Sequence, residues 1–315
     1  MRLRSPRIKR ILKHADLTQK GIEVAPYYKP LVSKAKHDVL IIDVFETDEL
    51  RRRAEADPLI EDTSRIEPVD LVGDASDIER LVTDAGHAGQ IAYIVSSHNF
   101  EHLPNPIKFL RGCSAILKPG GVVSMAVPDG RACFDFYRMP TRLSDWLAAY
   151  HEDRRQPSAE TLFDALSLQS MYLKRGKLRP ACGIGRDSPR RFIANHKLAE
   201  TYDLYKQVKA DPGGYRDAHC SVFFPETVEL MLRDLNFLGL LDLEIIEVSK
   251  SKGHEFIIHL RKPKTPSSEP EKAFYTRRDA LMARITQNLG AAPYHWTRLL
   301  MRPDRLIRRL VSLMR

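Results

Sequence analysis

The chain has 315 residues, 43% of them apolar and 29% charged, with a net charge of +9. That composition is globular, neither disordered nor membranous, and no apolar run approaches the ~20 residues that a bilayer-spanning helix needs. Residues 1–20 hold seven basic residues against Asp16, residues 291–315 hold six against Asp304, and the long stretch between is slightly acidic. A nearly neutral body argues against a nucleic-acid groove and places any anionic partner at the ends. The basic N-terminus lacks the apolar core of a secretory signal. Cys113, Cys133, Cys182 and Cys220 show no paired spacing. Buried thiols in a reducing, cytoplasmic setting are therefore expected.

Residues 6–15 predict a short helix, opened by Ser5 and Pro6. Apolar runs then alternate with helical patterns. Strands are expected at 21–24, 38–44, 66–72 (interrupted by Pro68), 91–96 and 122–127. Helices are expected at 48–55, 78–84 and 106–117, the last stopped by Lys118-Pro-Gly-Gly. Continuous apolar strands alternating with helices predict a mostly parallel α/β sheet covered on both faces. Residues 130–215 break this rhythm. Helical patterns at about 141–151, 157–174 and 195–210, around a loop at 175–191, read as a helical insertion. A helix at 225–237 and two strands at 243–248 and 255–260 suit a closing hairpin. Residues 262–271 are a linker by composition, and 272–315 a basic helical tail.

Three acids end the first three strand runs: Glu23, Asp43 and Asp74. A carboxylate about 20 residues after the first turn is where an open α/β fold holds ribose hydroxyls. Each acid also suits an ordinary turn or helix cap. The most specific stretch is SSHNFEHLPNPIKFLRGCSAILKPGGVVSMAVPD at 96–129. It reads strand, loop, helix, Pro-Gly-Gly, strand.

This stretch resembles the fourth and fifth strand region of class I S-adenosylmethionine (SAM) methyltransferases, above all the small type 11 group. The order Glu23, Asp43, Asp74 and the final hairpin are similar too. The resemblance covers about 21–261 and implies a Rossmann-like, seven-stranded, mostly parallel sheet with a final antiparallel hairpin and terminal helices. It implies SAM as cofactor. Glu23 would neighbour the methionine amino group, Asp43 the ribose and Asp74 the adenine, with Ser97 and His98 lining the pocket. The implied reaction is methyl transfer to oxygen or nitrogen of a small-molecule or glycan-type acceptor. His98 and His219 are the general-base candidates. Arg131, Tyr137 and Arg138 would face the acceptor side, where an arginine suits an anionic substrate. Tyr27 and Tyr28 either offer π-faces to the sulfonium or pack.

One departure stands out. The family's first turn usually carries glycines, and here it is Glu23-Val-Ala25-Pro26. Either the turn keeps φ < 0 and the cofactor still fits beside the Ala25 methyl, or affinity suffers. The second outcome motivates an alternative reading, a non-catalytic methyltransferase-like scaffold. His98-Asn-Phe-Glu101-His102 also spells the inverted zinc-hydrolase pattern HxxEH, which needs a helix to bring both histidines to one face. Pro104 and Pro106 follow too closely for one, and no metal is assigned. Residues 303–315 form an amphipathic pattern. It suits docking on the body, a homo-oligomer contact, or peripheral attachment to anionic lipid; nucleic acid is the least favoured partner.

Overall fold

The computed structural model describes residues 5–57, 60, 62–184, 187–194, 197–214, 216–265 and 269–291. A first helix, α1 (Pro6–Ile11), starts as its residues require: the Ser5 hydroxyl accepts from the Ile8 amide and Pro6 takes the first helical position. It is shorter than the expected 6–15 and unwinds into turns after Ile11. Then come β1 (Gly21–Val24), β2 (Val39–Asp43), α2 (Thr47–Ala56), β3 (Leu71–Val72), α3 (Ile78–Asp84), β4 (Ile91–Ser97), α4 (Pro106–Ile116) and β5 (Leu117–Pro128). β3 is only two residues long: Pro68 cannot donate to a ladder, and the Asp70 side chain takes the Ile41 amide in place of a backbone partner.

An insertion follows, with α5 (Leu143–His151), α6 (Ala159–Ser167), β6 (Ser170–Lys174), β7 (Lys177–Arg179), β8 (Phe192–Ala194) and α7 (Leu198–Ala210). The chain closes with α8 (Pro225–Phe237), β9 (Glu244–Val248), β10 (Glu255–Arg261) and α9 (Glu271–Ala291).

The main sheet runs β3-β2-β1-β4-β5-β10-β9. The first five strands are parallel; β10 lies antiparallel to β5 and to β9. This is the expected seven-stranded sheet with its closing hairpin. All four residues of β1 and six of seven in β4 are buried, as strands covered on both faces must be. One face packs Ile22, Val24 and Ile94 against α3, α4 and α8. The other packs Ile41, Tyr93 and Val95 under α1 and the loop at Leu31 and Val32. Gly21 is needed there: a Cβ would stand 2.0 Å from the Tyr93 ring.

The insertion is not purely helical, which corrects the expectation. β7-β6-β8 form a three-stranded antiparallel sheet, and only the first part of 157–174 is helix. Arg175 and Gly176 both adopt positive φ (51° and 75°), the conformation of a two-residue hairpin turn. Tyr172 and Phe192 bury themselves on Phe136 to close this small core.

The terminal helices are docked. Arg7 pairs with Glu255 at 2.8 Å and Lys13 with Glu247 at 2.6 Å. These two basic residues of the N-terminal segment are therefore spent on acids of the β9–β10 hairpin, not held for an outside anion. α9 lies on α8, with the Phe237 and Phe274 rings stacked at 3.9 Å and Arg278 on Asp234. The amphipathic segment 303–315 lies outside the described residues. Among those described, no helix is long and apolar enough to cross a membrane. The four cysteines are free, three of them buried.

Candidate active site

The C-terminal ends of β1, β2 and the short β3 lie side by side. Ala25 follows β1 with φ +48°, the left-handed region a glycine takes without strain. Its amide donates to the Ile42 carbonyl at 2.8 Å, so the turn is formed despite the extra methyl. The φ < 0 expected of a turn that admits the cofactor is therefore corrected: Ala25 takes the left-handed conformation of a glycine. Tyr27 also has φ +48°. Tyr27 and Tyr28 pack with Leu50, Ala54 and Ile66.

Glu23 is 1% exposed. Its two oxygens accept from the Leu31 amide at 2.7 Å and the Val32 amide at 2.9 Å. Burial pushes its carboxyl up to about 7, against the two amide bonds. Glu23 thus ties down the loop after β1. Each oxygen accepts one bond from that loop, so Glu23 positions it beside the expected methionine end.

Asp43 is 6% exposed at the end of β2 and accepts from the Phe45 amide at 3.3 Å. It makes no ion pair among the described residues, and burial raises its pKa. A buried carboxylate held only by turn amides keeps acceptor capacity for further donors, and a ribose diol supplies two. Gly73 donates to the Asp43 carbonyl at 2.9 Å, which sets Asp74 beside it. Asp74 caps a short 3-10 turn through the Ser76 amide at 2.7 Å. The left-handed Ala25 turn and the unpaired acid at Asp43 fit an adenosyl cofactor.

The end of β4 is built differently. The Ser97 hydroxyl accepts from Arg7 at 2.6 Å, so α1 has engaged the group expected to line the pocket. His98 has φ +54°. Its Nε2 meets Glu255 at 3.0 Å, and its Nδ1 lies 3.6 Å from Glu101 Oε1. Burial alone would depress the imidazole, but Glu101 and Glu255 outweigh it and hold it up to about 9. A histidine kept cationic between two acids is a poor proton acceptor. His98 is therefore corrected from base candidate to ion-pair member.

Glu101 sits in a single 3-10 turn, Phe100–His102, and is 0% exposed. His102 Nε2 and His219 Nε2 each lie 3.9 Å from its Oε1. Burial opposes ionisation, but the three histidines prevail and keep its carboxyl below the usual range. His102 Nδ1 donates to Asp217 at 2.8 Å, and His219 Nδ1 donates to Asp135 at 2.5 Å. Asp135 in turn holds Arg138 at 2.7 Å. The HxxEH stretch is not a helix, so the inverted zinc-hydrolase geometry does not form.

The expected acceptor-side residues are tied up. Arg131 pairs with Asp129 at 2.7 Å and lies over the Phe224 ring. Arg138 is neutralised by Asp135 and bonds the His219 carbonyl. The Tyr137 hydroxyl donates to the Phe192 carbonyl at 2.9 Å. All three are engaged within the fold and brace the insertion, their arginine charges paired with Asp129 and Asp135. The sequence reading missed Glu101, Asp135, Asp217, Glu255 and Arg7. The spacing of HxxEH and the acid two residues before His219 were the available signals.

Residues 21–176 match the family model described as a methyltransferase domain. A 44-residue stretch is 43% identical to the ubiquinone biosynthesis O-methyltransferase of Marinobacter nauticus; it spans 14% of this chain and 18% of that protein. The CurJ carbon methyltransferase structure is 8% identical, with a TM-score of 0.36 over 79% of this chain and 50% of that one. A SAM-dependent methyltransferase from Mesorhizobium loti is 11% identical, with a TM-score of 0.39 over 81% of this chain and 96% of the other. The chain thus spans half or less of the first two of these proteins.

Proposed function

This chain carries a class I methyltransferase domain whose cofactor is S-adenosylmethionine, and we propose that it moves the methyl group to a hydroxyl oxygen of a small-molecule or sugar acceptor. When bound, SAM supplies an electrophilic methyl group on its sulfonium. Asp43 would take the ribose hydroxyls, Asp74 the adenine, and the backbone at Ala25 the methionine end. Much of the catalysis is positioning of acceptor against methyl. A C–O bond forms as the S–C bond breaks, and the hydroxyl proton must leave.

The observation that carries an oxygen acceptor is the carboxylate–histidine cluster beside the end of β4. Asp135 fixes the His219 ring through Nδ1, which leaves Nε2 toward Glu101. Asp217 holds the His102 ring by Nδ1 in the same way, and burial is outweighed by Asp217 and Glu101, which raise its pKa. A hydroxyl, unlike a neutral amine, needs such a group to take its proton during attack. The one matched stretch of a curated relative comes from a protein named as an O-methyltransferase, which agrees with this reading. The test is transfer of radiolabelled methyl from SAM to a panel of phenols and sugars, with matched amines beside them. Label in the hydroxyl compounds is expected; label confined to the amines would overturn the oxygen assignment.

A further inference from the structure

The geometry points to a binding site for a divalent first-row transition-metal ion formed by Glu101, His102 and His219. One carboxylate oxygen, His102 Nε2 and His219 Nε2 lie within 4.8 Å of one another. Two ligand atoms on one ion are at most about 4.2 Å apart, twice a zinc–ligand bond. Both Glu101–histidine gaps, 3.9 Å, already lie inside that limit.

The Glu101 carboxylate is fully buried, and neither of its oxygens has a hydrogen-bond partner. Such a group is expensive unless something positive meets it. The 3.9 Å gaps are too long for hydrogen bonds and too short for a bridging water. A metal ion is a bridging group of the right size.

The outer groups fit the same reading. Metal-bound histidines almost always donate their other ring nitrogen to a carboxylate or carbonyl, which fixes the tautomer. His102 does so to Asp217 and His219 to Asp135. His98, held by Glu255 at 3.0 Å, brings a third imidazole to within 3.6 Å of the same Glu101 oxygen. Four acids (Glu101, Asp135, Asp217, Glu255) face two guanidiniums (Arg7, Arg138) and the cationic His98, so the cluster keeps a net negative charge that attracts a cation. Two imidazoles and a carboxylate are a known zinc set and leave positions open for an acceptor oxygen. With an ion there, the Nε2 atoms would serve as ligands and the ion would supply Lewis acidity toward an acceptor hydroxyl, whose proton would pass to solvent. A second trio, His14, Glu247 and His259, is a poorer host, because Lys13 already neutralises Glu247.

The inference goes beyond methyl transfer and does not depend on it, since metal retention is read without an acceptor. The full chain, stripped with chelator, would be titrated with cobalt(II) and then zinc. One cobalt per chain, with visible d–d bands and displacement by one equivalent of zinc, is expected. His102→Gln should weaken zinc at least 100-fold, and Asp217→Asn about 10–100-fold with unchanged circular dichroism. His259→Gln should change nothing. No stoichiometric zinc at millimolar concentration would overturn the proposal. So would unchanged affinity in both His102→Gln and Asp217→Asn, or loss of binding in His259→Gln instead.

Discussion

The two halves of the candidate site are built by different means. At the ends of β1 to β3, each acid is held by backbone a few residues away: Glu23 by Leu31 and Val32, Asp43 by Phe45, Asp74 by Ser76. Beside β4, side chains pair across the chain. His98 meets Glu255 at a separation of 157 residues, His102 meets Asp217 at 115, and His219 meets Asp135 at 84. The first half is a set of short-range turns, joined across the strand ends by the Ala25–Ile42 and Gly73–Asp43 backbone bonds. The second exists only when β10, the insertion and the segment before α8 are all in place. Cofactor binding and acceptor chemistry are therefore separable, and substitutions should divide them.

The largest division is expected from His219→Gln. Methyl transfer should fall about 10²–10⁴-fold, the usual contribution of a positioned proton acceptor. Affinity for S-adenosylhomocysteine, measured by titration calorimetry, should not change. An equal loss of both would show that the halves are one unit.

A second test addresses Glu23 through its titration. Its carboxyl lies at about 7 when folded, against an ordinary 4.5. The folded state therefore binds the extra proton between those values, and its stability falls as pH rises from 4.5 to 7. The fall attributable to this group is on the order of 3 kcal/mol. Urea unfolding at pH 5 and pH 8 should show it, and Glu23→Gln should flatten it. A slope unchanged in the variant would assign the effect elsewhere.

Arg7→Ala probes the far-reaching half at α1. Loss of the Arg7 bonds to Glu255 and Ser97 should cost about 2 kcal/mol, as for hydrogen bonds to a charged group. Arg7 and His98 outweigh burial and hold Glu255 down at about 2. Its contribution is therefore complete above about 4.5 and is lost as pH falls toward 2. Arg7→Ala should shrink that acid-side loss. An acid transition identical to the parent's would contradict the pairing.

The smallest effect belongs to Ala25→Gly. The left-handed φ of +48° strains alanine by about 1 kcal/mol and glycine hardly at all. The variant should melt a few degrees higher, and a lower melting temperature would mean the Ala25 methyl contributes packing that outweighs the strain.

The same contrast explains what could be read from the residues alone. The alternation of strands and helices, the helix from Pro106 and the three strand-end acids are local patterns, and they were legible. The fate of Arg131 and Arg138 was not, because an arginine looks the same in sequence whether its charge is free or neutralised by Asp129 or Asp135. The small sheet of the insertion was hidden too: Ser170–Lys174 is short, and the Arg175-Gly176 turn between β6 and β7 is a weak signal beside the helical pattern before it. Glu101 was visible within HxxEH, but its convergence with His219 depends on the chain returning 118 residues later.

The most direct measurement is calorimetric titration of the full chain with S-adenosylhomocysteine, beside Asp43→Ala. Saturable one-to-one binding is expected, weakened about 10–100-fold in the variant by loss of charged hydrogen bonds to the ribose. No saturable binding to the folded protein, or equal affinity in the variant, would contradict a cofactor site at the ends of β1 and β2.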